Sequence, residues 1–333
     1  MHTRLPASDA PQQEGRTARF SGSFRLSIVV PCYDEQDVIG ETVQRLRQLL
    51  DELCGCGKIA ADSEIVLVDD GSRDRTWAIV RDLHRQDGRV RGIKLSGNRG
   101  HQIALLAGLF AAQGDAVVSI DADLQDDVRA IGEMVDAVRS GSDVVYGVRR
   151  SRDVDHWLKR GTAHWYYRIL AAFGVKLVFD HADFRLLSRR ALEALKQYPE
   201  SHLFLRGIVP LMGFPSAIVY YERAPRFAGR TKYSVGKMLT LALDGVTSFT
   251  AYPLRLIAFL GIAVSLFSVA MVFWVLWIKL VADRAIPGWA SSVIPIYFIG
   301  GVQLLSIGVL GEYVAKLYSE AKRRPRYFIE EQL

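Results

Sequence analysis

Between Leu26 and Gly147 short apolar runs alternate with stretches whose apolar residues recur at helical spacing. The runs Leu26 to Pro31, Glu64 to Asp69, Val90 to Leu95, Ala116 to Ile120 and Asp143 to Tyr146 predict strands. Between them, Asp37 to Leu53, Thr76 to Gln86, Gln102 to Ala112 and Val128 to Arg139 predict helices. Strands that are apolar throughout are buried on both faces, and intervening helices supply the crossovers of a parallel sheet. The expected architecture is α/β, a doubly wound, Rossmann-like sheet dominated by parallel strands. Ligands of such sheets lie beyond the carboxyl ends of the strands. The polar residues fall there: Tyr33, Asp34 and Glu35 after the first strand, Asp69 and Asp70 at the second, Asp121 to Asp127 after the fourth.

The pattern changes towards the C-terminus. Ser234 to Phe249 has apolar residues at helical spacing and predicts an amphipathic helix, either lying on a bilayer or packed on the soluble domain. Leu256 to Ile278 carries no charge and as a helix would be about 34 Å long, enough to cross a hydrocarbon core of about 30 Å. Val293 to Gly311 is a second uncharged stretch, interrupted by Pro295, several glycines and Gln303, which membrane helices tolerate. Lys316, Lys322, Arg323, Arg324 and Arg326 follow it, whereas the loop between the stretches has only Lys279, Asp283 and Arg284. The positive-inside rule then places the N-terminal domain and the tail in the cytoplasm, in a multi-pass protein of the inner (cytoplasmic) membrane. The expected division is a disordered tail at 1–24, a catalytic domain at 25–233, the amphipathic helix at 234–250, spans at about 254–281 and 291–315 within 251–318, and a basic tail at 319–333.

Composition agrees with a soluble part joined to a small membrane part: 50% of the 333 residues are hydrophobic and mean hydropathy is +0.11. The net charge of +6 is gathered at Arg149 to Arg160, at Arg223 to Lys237 and in the tail. The last two clusters flank apolar segments, which suits a membrane surface and phosphate ligands rather than nucleic acid. Cys32, Cys54 and Cys56 form no CxxC pair, so neither a disulfide framework nor a zinc site is indicated.

Two aspartates one residue apart, Asp121 and Asp123, on a loop after a buried strand, can share a divalent ion with a diphosphate. Mg²⁺ and Mn²⁺ favour that combination of carboxylate and phosphate oxygens. In the turn after the second strand either Asp69 or Asp70 could hydrogen-bond a base or ribose, and Asp74 is placed to cap the following helix. No Gly-x-Gly-x-x-Gly follows the first strand, which disfavours a dinucleotide oxidoreductase.

The segments LSIVVPCYDEQDVI (26–39), VLVDDGSRDRT (66–76), SGNRGHQIALLAGL (96–109), DADLQDD (121–127), ADFRLLSRRAL (182–192) and RFAGRTKYS (226–234) resemble those of family 2 glycosyltransferases. The likeness is greatest to the polyprenyl-phosphate glycosyltransferases, the group of dolichyl-phosphate mannose synthase and the bactoprenol glucosyltransferases. The resemblance implies a GT-A domain that transfers a sugar, with inversion, from a nucleotide-sugar donor to a polyprenyl phosphate lipid, with Mg²⁺ or Mn²⁺. UDP-glucose is the leading donor over UDP-N-acetylglucosamine, GDP-mannose and an aminoarabinose donor; undecaprenyl phosphate is the leading acceptor. It also implies that Pro31, Tyr33, Glu35, Asp70 and Asp121 meet the nucleotide, and that Asp121, Asp123 and Gln125 surround the metal and diphosphate. Arg149, Lys159, Arg160, Arg226 and Lys232 resemble residues that hold the diphosphate or lipid phosphate. Asp123 and Asp183 are the expected catalytic carboxylates, Asp183 as a base, as an orienting group, or as half of a buried pair with Arg185. Related enzymes form oligomers, and a homotetramer with the terminal strand added to a neighbouring subunit is expected. A processive polysaccharide synthase would need more spans and a Gln-x-x-Arg-Trp motif, and a membrane adaptor with a dead transferase domain would not need the Asp121/Asp123 pair.

Overall fold

A computed structural model of the chain describes residues 24–150, 181–200, 205–222, 252–280 and 289–333. The expected amphipathic helix at 234–250, the tail up to residue 23, and Lys159, Arg160, Arg226 and Lys232 lie outside the described residues.

The first unit alternates β1 (Leu26–Cys32), α1 (Ile39–Gly55), β2 (Glu64–Asp69), α2 (Thr76–Gln86), β3 (Val90–Leu95), α3 (His101–Ala111), β4 (Ala116–Ser119), α4 (Ala130–Arg139) and β5 (Val144–Arg149). It continues with β6 (His181–Ser188), α5 (Arg189–Lys196), α6 (Leu205–Leu211) and β7 (Ser216–Tyr221), and the terminal residues form β8 (Ile329–Gln332). The eight strands form one sheet in the order β7-β5-β6-β4-β1-β2-β3-β8. Every residue of β1, β2 and β4 is buried, as their continuous apolar runs require. The core packs Ile28, Val30, Ile65 and Leu67 against Leu46 and Leu50 of α1 and Trp77 and Val80 of α2.

The sheet is mixed. β1 pairs in parallel with β2 and β4, β2 with β3, and β5 with β7. β6 enters antiparallel between β4 and β5, so β5 is not the direct neighbour of β4 that uninterrupted doubly wound order would give. The sequence pattern hides β6 because Asp183 and Arg185 interrupt its apolar positions, yet both are buried, since each neutralises the other. Phe24, expected in the N-terminal tail, is also buried and bridges to Ile59. The terminal strand, expected on a neighbouring subunit, pairs antiparallel with β3 of its own chain.

The second unit contains α7 (Tyr252–Leu280) and α8 (Trp289–Ala321). Phe259, Phe267, Trp274 and Trp277 of α7 and Ile296, Phe298, Leu304 and Leu305 of α8 are exposed. Among the described residues, Phe298–Ala321 is long and apolar enough to cross a membrane by length and composition. α8 continues past the expected end at 315 to Ala321.

Candidate active site

Three loops meet beyond the strand ends. The register sets Cys32 at the end of β1 level with Asp69 at the end of β2. Asp34 holds a left-handed backbone (φ 52°) and accepts from the Arg73 amide at 2.8 Å, while its own amide donates to Ser72 Oγ at 3.0 Å. The Glu35 amide donates to Thr76 Oγ1 at 2.9 Å, so the loops after β1 and β2 are interlocked. Asp70 accepts from the amides of Arg99 at 2.7 Å and Gly100 at 2.8 Å, which ties in the loop ahead of α3. Asp69 accepts from the Ser72 amide at 3.2 Å, and its buried Oδ2 has no partner among the described residues. Burial pushes both carboxyls up despite these bonds. Pro31 is buried within β1, and Tyr33 and Glu35 are half-buried just beyond it.

The loop after β4 carries the aspartate pair. Thr42 Oγ1 donates to the Ala122 carbonyl at 2.8 Å and fastens the loop to α1. The Gln125 amide donates to Asp123 Oδ1 at 3.2 Å. Leu124 between them has φ 56°, a conformation costing a non-glycine residue of order 1 kcal/mol or more unless its surroundings enforce it. Burial of the Leu124 side chain provides that enforcement.

β6 and α3 bring charged groups to this loop. His101 Nε2, at the start of α3, lies 3.4 Å from Asp121 Oδ1 and 3.6 Å from Asp183 Oδ2. Asp183 accepts from Arg185 at 2.6 Å and from Nε and a terminal nitrogen of Arg206 at 3.2 and 3.0 Å. Burial alone would raise the Asp183 carboxyl, but His101, Arg185 and Arg206 hold it well below the usual carboxylate range. Burial disfavours a charged His101, but its bond to Asp183 and the charge of Asp121 outweigh that and raise it. Asp121 is pushed up by burial and then by Asp126, Asp183 and Asp123, against the opposing influence of His101. Farther along the loop, Asp126 Oδ1 accepts from the Tyr221 hydroxyl at 2.6 Å and from Arg149 at 3.2 Å.

Among the described residues no three His, Cys, Asp or Glu side chains converge into a metal cage. Mg²⁺ and Mn²⁺ do not require one, because they bind through one or two carboxylates together with substrate phosphates. Asp121 and Asp123 are such carboxylates, and the raised Asp121 carboxyl among Asp123, Asp126 and Asp183 marks a negative concentration that a cation would relieve. The residues present therefore fit the ion. The structure brings Asp121, Asp123, Gln125 and Asp183 to one place, with Arg149 joined through Asp126 and with Asp70, Tyr33 and Glu35 on adjoining loops. Arg206 and Tyr221 were not singled out from the sequence: an isolated arginine in an apolar stretch and a tyrosine in an alternating strand give no signal of what they meet.

The sequence profile described as glycosyl transferase family 2 matches residues 27–196, a span running from β1 through α5 and including every loop described above. The chain belongs to this family. A relative from Bacillus subtilis (strain 168) described as an uncharacterized glycosyltransferase, YkoT, is 48% identical over 92% of this chain and 91% of its own. The prophage bactoprenol glucosyl transferase homolog of Escherichia coli (strain K12) is 38% identical over 92% of this chain and 99% of its own. A solved glucosyl-3-phosphoglycerate synthase from Mycobacterium tuberculosis, in complex with phosphoglyceric acid, is 20% identical and aligns with a TM-score of 0.48 over 68% of this chain and 79% of that one. The protein is thus a family 2 glycosyltransferase whose mostly parallel α/β sheet is of the GT-A kind.

Proposed function

We propose that this glycosyltransferase moves glucose from UDP-glucose to undecaprenyl phosphate at the cytoplasmic face of the membrane, with inversion at the anomeric carbon. The carrying observation is the similarity to proteins named bactoprenol glucosyl transferase, which extends over 92% of this chain and 98% of the relative from Shigella phage SfV, helices included. The membrane location is supported by α8 and by the uncharged run Leu256 to Ile278 within α7, read as two spans with the basic residues after α8 on the cytoplasmic side. A homotetramer is part of the same reading, and a monomeric mass in mild detergent would remove it.

A lipid monophosphate has a second pKa of about 6, so at neutral pH it already offers a nucleophilic oxygen and needs no strong base. Asp183, held low by its cations, has little affinity for a proton and serves instead to orient His101 and the sugar. Asp121, Asp123 and Gln125 would hold Mg²⁺ or Mn²⁺, which when bound offsets the charge of the departing nucleotide diphosphate. Pro31, Tyr33, Glu35 and Asp70 border the nucleotide. Of the two adjacent aspartates, Asp69 is sealed inside the sheet, whereas Asp70 is fixed in place by the Arg99 and Gly100 amides. Arg149, Lys159, Arg160, Arg226 and Lys232 meet phosphate groups.

The test is transfer of radiolabelled sugar from a panel of UDP and GDP donors, including UDP-N-acetylglucosamine, GDP-mannose and an aminoarabinose donor, to undecaprenyl phosphate with each metal. Metal-dependent glucosyl lipid, absent for Asp123→Ala, is the expected result. Product from another donor replaces the sugar in the reading, and no product from any donor in folded, membrane-embedded protein overturns it.

A further inference from the structure

Arg149, the last residue of β5, is held from two sides. Its Nε donates to the Tyr221 hydroxyl at 3.1 Å and a terminal nitrogen donates to Asp126 Oδ1 at 3.2 Å. The Tyr221 hydroxyl donates to that same oxygen at 2.6 Å, closing a three-membered ring of contacts. The strand register makes it possible, because Arg149 lies directly opposite Tyr221 where β5 and β7 end. The Phe184 ring meets the Tyr221 ring edge-on, with centroids 5.2 Å apart, and leaves the hydroxyl little freedom. Asp126 and Tyr221 are buried, whereas the Arg149 side chain is 29% exposed.

A buried carboxylate and a buried phenol therefore grip a guanidinium whose other edge reaches solvent. Guanidinium has five N–H donors, and among the described residues the contacts with Asp126 and Tyr221 use two of them, which leaves the others to meet an anion. The planar fork of arginine suits a phosphate oxyanion, and fixing the fork in advance removes the rotamer freedom that binding would otherwise have to freeze. Asp126 also belongs to the aspartate loop, one residue after Gln125, so the ring links that loop to the ends of β5 and β7.

We propose that Asp126 and Tyr221 are positioning residues that present Arg149 to a phosphate oxyanion, a role resting on the reading that the sugar passes from a nucleotide diphosphate to a lipid phosphate. Either phosphate supplies the required chemistry. The two are distinguished by which kinetic constant responds.

The experiment compares the full chain with Tyr221→Phe, Arg149→Ala and the double variant, measuring kcat and KM for UDP-glucose and for undecaprenyl phosphate, with melting temperature as the check on folding. Tyr221→Phe removes one oxygen and keeps the ring on Phe184. The expected result is that it raises the same KM that Arg149→Ala raises, by about three- to tenfold, with the melting temperature near that of wild type. The double variant should be no worse than Arg149→Ala, because an arginine that is gone cannot be mispositioned. An effect on the acceptor KM assigns the anion to the lipid phosphate, and an effect on the donor KM assigns it to the diphosphate. The proposal is overturned if Tyr221→Phe leaves both constants at wild type, or if its loss adds in full to that of Arg149→Ala. Calorimetric titration with UDP and with inorganic phosphate separates this from failure of the acceptor: equal affinities in wild type, Tyr221→Phe and Arg149→Ala overturn the positioning role even where no lipid product forms.

Discussion

Arg185 donates to Asp183 across 2.6 Å from two positions along the same strand, and both side chains are buried. Residues two apart in a strand share a face, so β6 carries its own ion pair into the interior. Arg185 also donates to the Leu205 carbonyl at 3.0 Å and so joins β6 to the start of α6.

Removing Arg185 takes the fully buried cation from Asp183 and leaves Arg206 as its remaining arginine partner. Arg185→Met should therefore destabilise the sheet unit by no more than the lower end of the about 3–5 kcal/mol that a wholly broken buried pair costs. A fall in melting temperature well beyond that of an Arg206→Met control, whose arginine is only half-buried, is the measurement to make.

α3 reaches the sheet so closely that only glycine fits at one point. A Cβ on Gly108 would stand 2.7 Å from Val68 Cγ2 and closer still to Val29. Gly108→Ala should lower stability by about 1–3 kcal/mol through overpacking. Because α3 begins at His101, transfer activity should fall as well, and a variant with wild-type melting temperature and activity would refute the contact.

Glu64 is the buried acid most completely satisfied away from the site. It accepts from Ser27 Oγ at 2.6 Å, the Gln113 amide at 2.7 Å, Arg91 at 3.0 Å and Arg25 at 3.2 Å. Burial pushes its carboxyl up, but Ser27, Gln113 and Arg91 outweigh that and hold it below the ordinary value. Its contribution to stability is full above the unfolded pKa of about 4.3 and is lost as pH falls through the lower folded value. Melting curves of wild type and Glu64→Gln should lie apart at neutral pH and draw together below about pH 4.

The terminal strand covers what would otherwise be an open sheet edge. The Ser96 amide donates to the Phe328 carbonyl at 3.0 Å, and Glu331 accepts from Trp77 Nε1 at 2.9 Å and from Arg81 Nε at 3.0 Å. Truncation after Tyr327 should speed hydrogen exchange at Ser96 while the amides of β1 keep their protection, because exposed edge amides exchange with water and central ones do not. Unchanged exchange at Ser96 would mean that another segment takes the place of β8.

Much of this was legible in the chain. Continuous apolar runs announced β1, β2 and β4 because strands buried on both faces have no solvent side to vary. Charge-free stretches announced α7 and most of α8. The polar clusters at Tyr33 to Glu35, Asp69 and Asp70, and Asp121 to Asp127 marked the loops of the site because a parallel sheet gathers its strand ends on one side.

β6 was not legible as a strand, since two charges break its apolar pattern; the buried pair of Asp183 and Arg185 was one of several roles the sequence left open, and the contact at 2.6 Å shows it. Nor was the unequal hydrogen bonding of Asp69 and Asp70, which depends on Arg99 and Gly100 standing about 30 positions away and donating to Asp70. The ring of Asp126, Arg149 and Tyr221 joins residues up to 95 positions apart, and its members carry no common periodicity. From residue 26 to 147 and in the C-terminal apolar stretches, sequence by itself determined which segments are strands, helices and polar loops, because burial and local conformation leave their mark on neighbouring residues. Only the tertiary structure decided which buried charges neutralise one another, because pairing is a matter of distance in space and the order of strands in the sheet sets that distance.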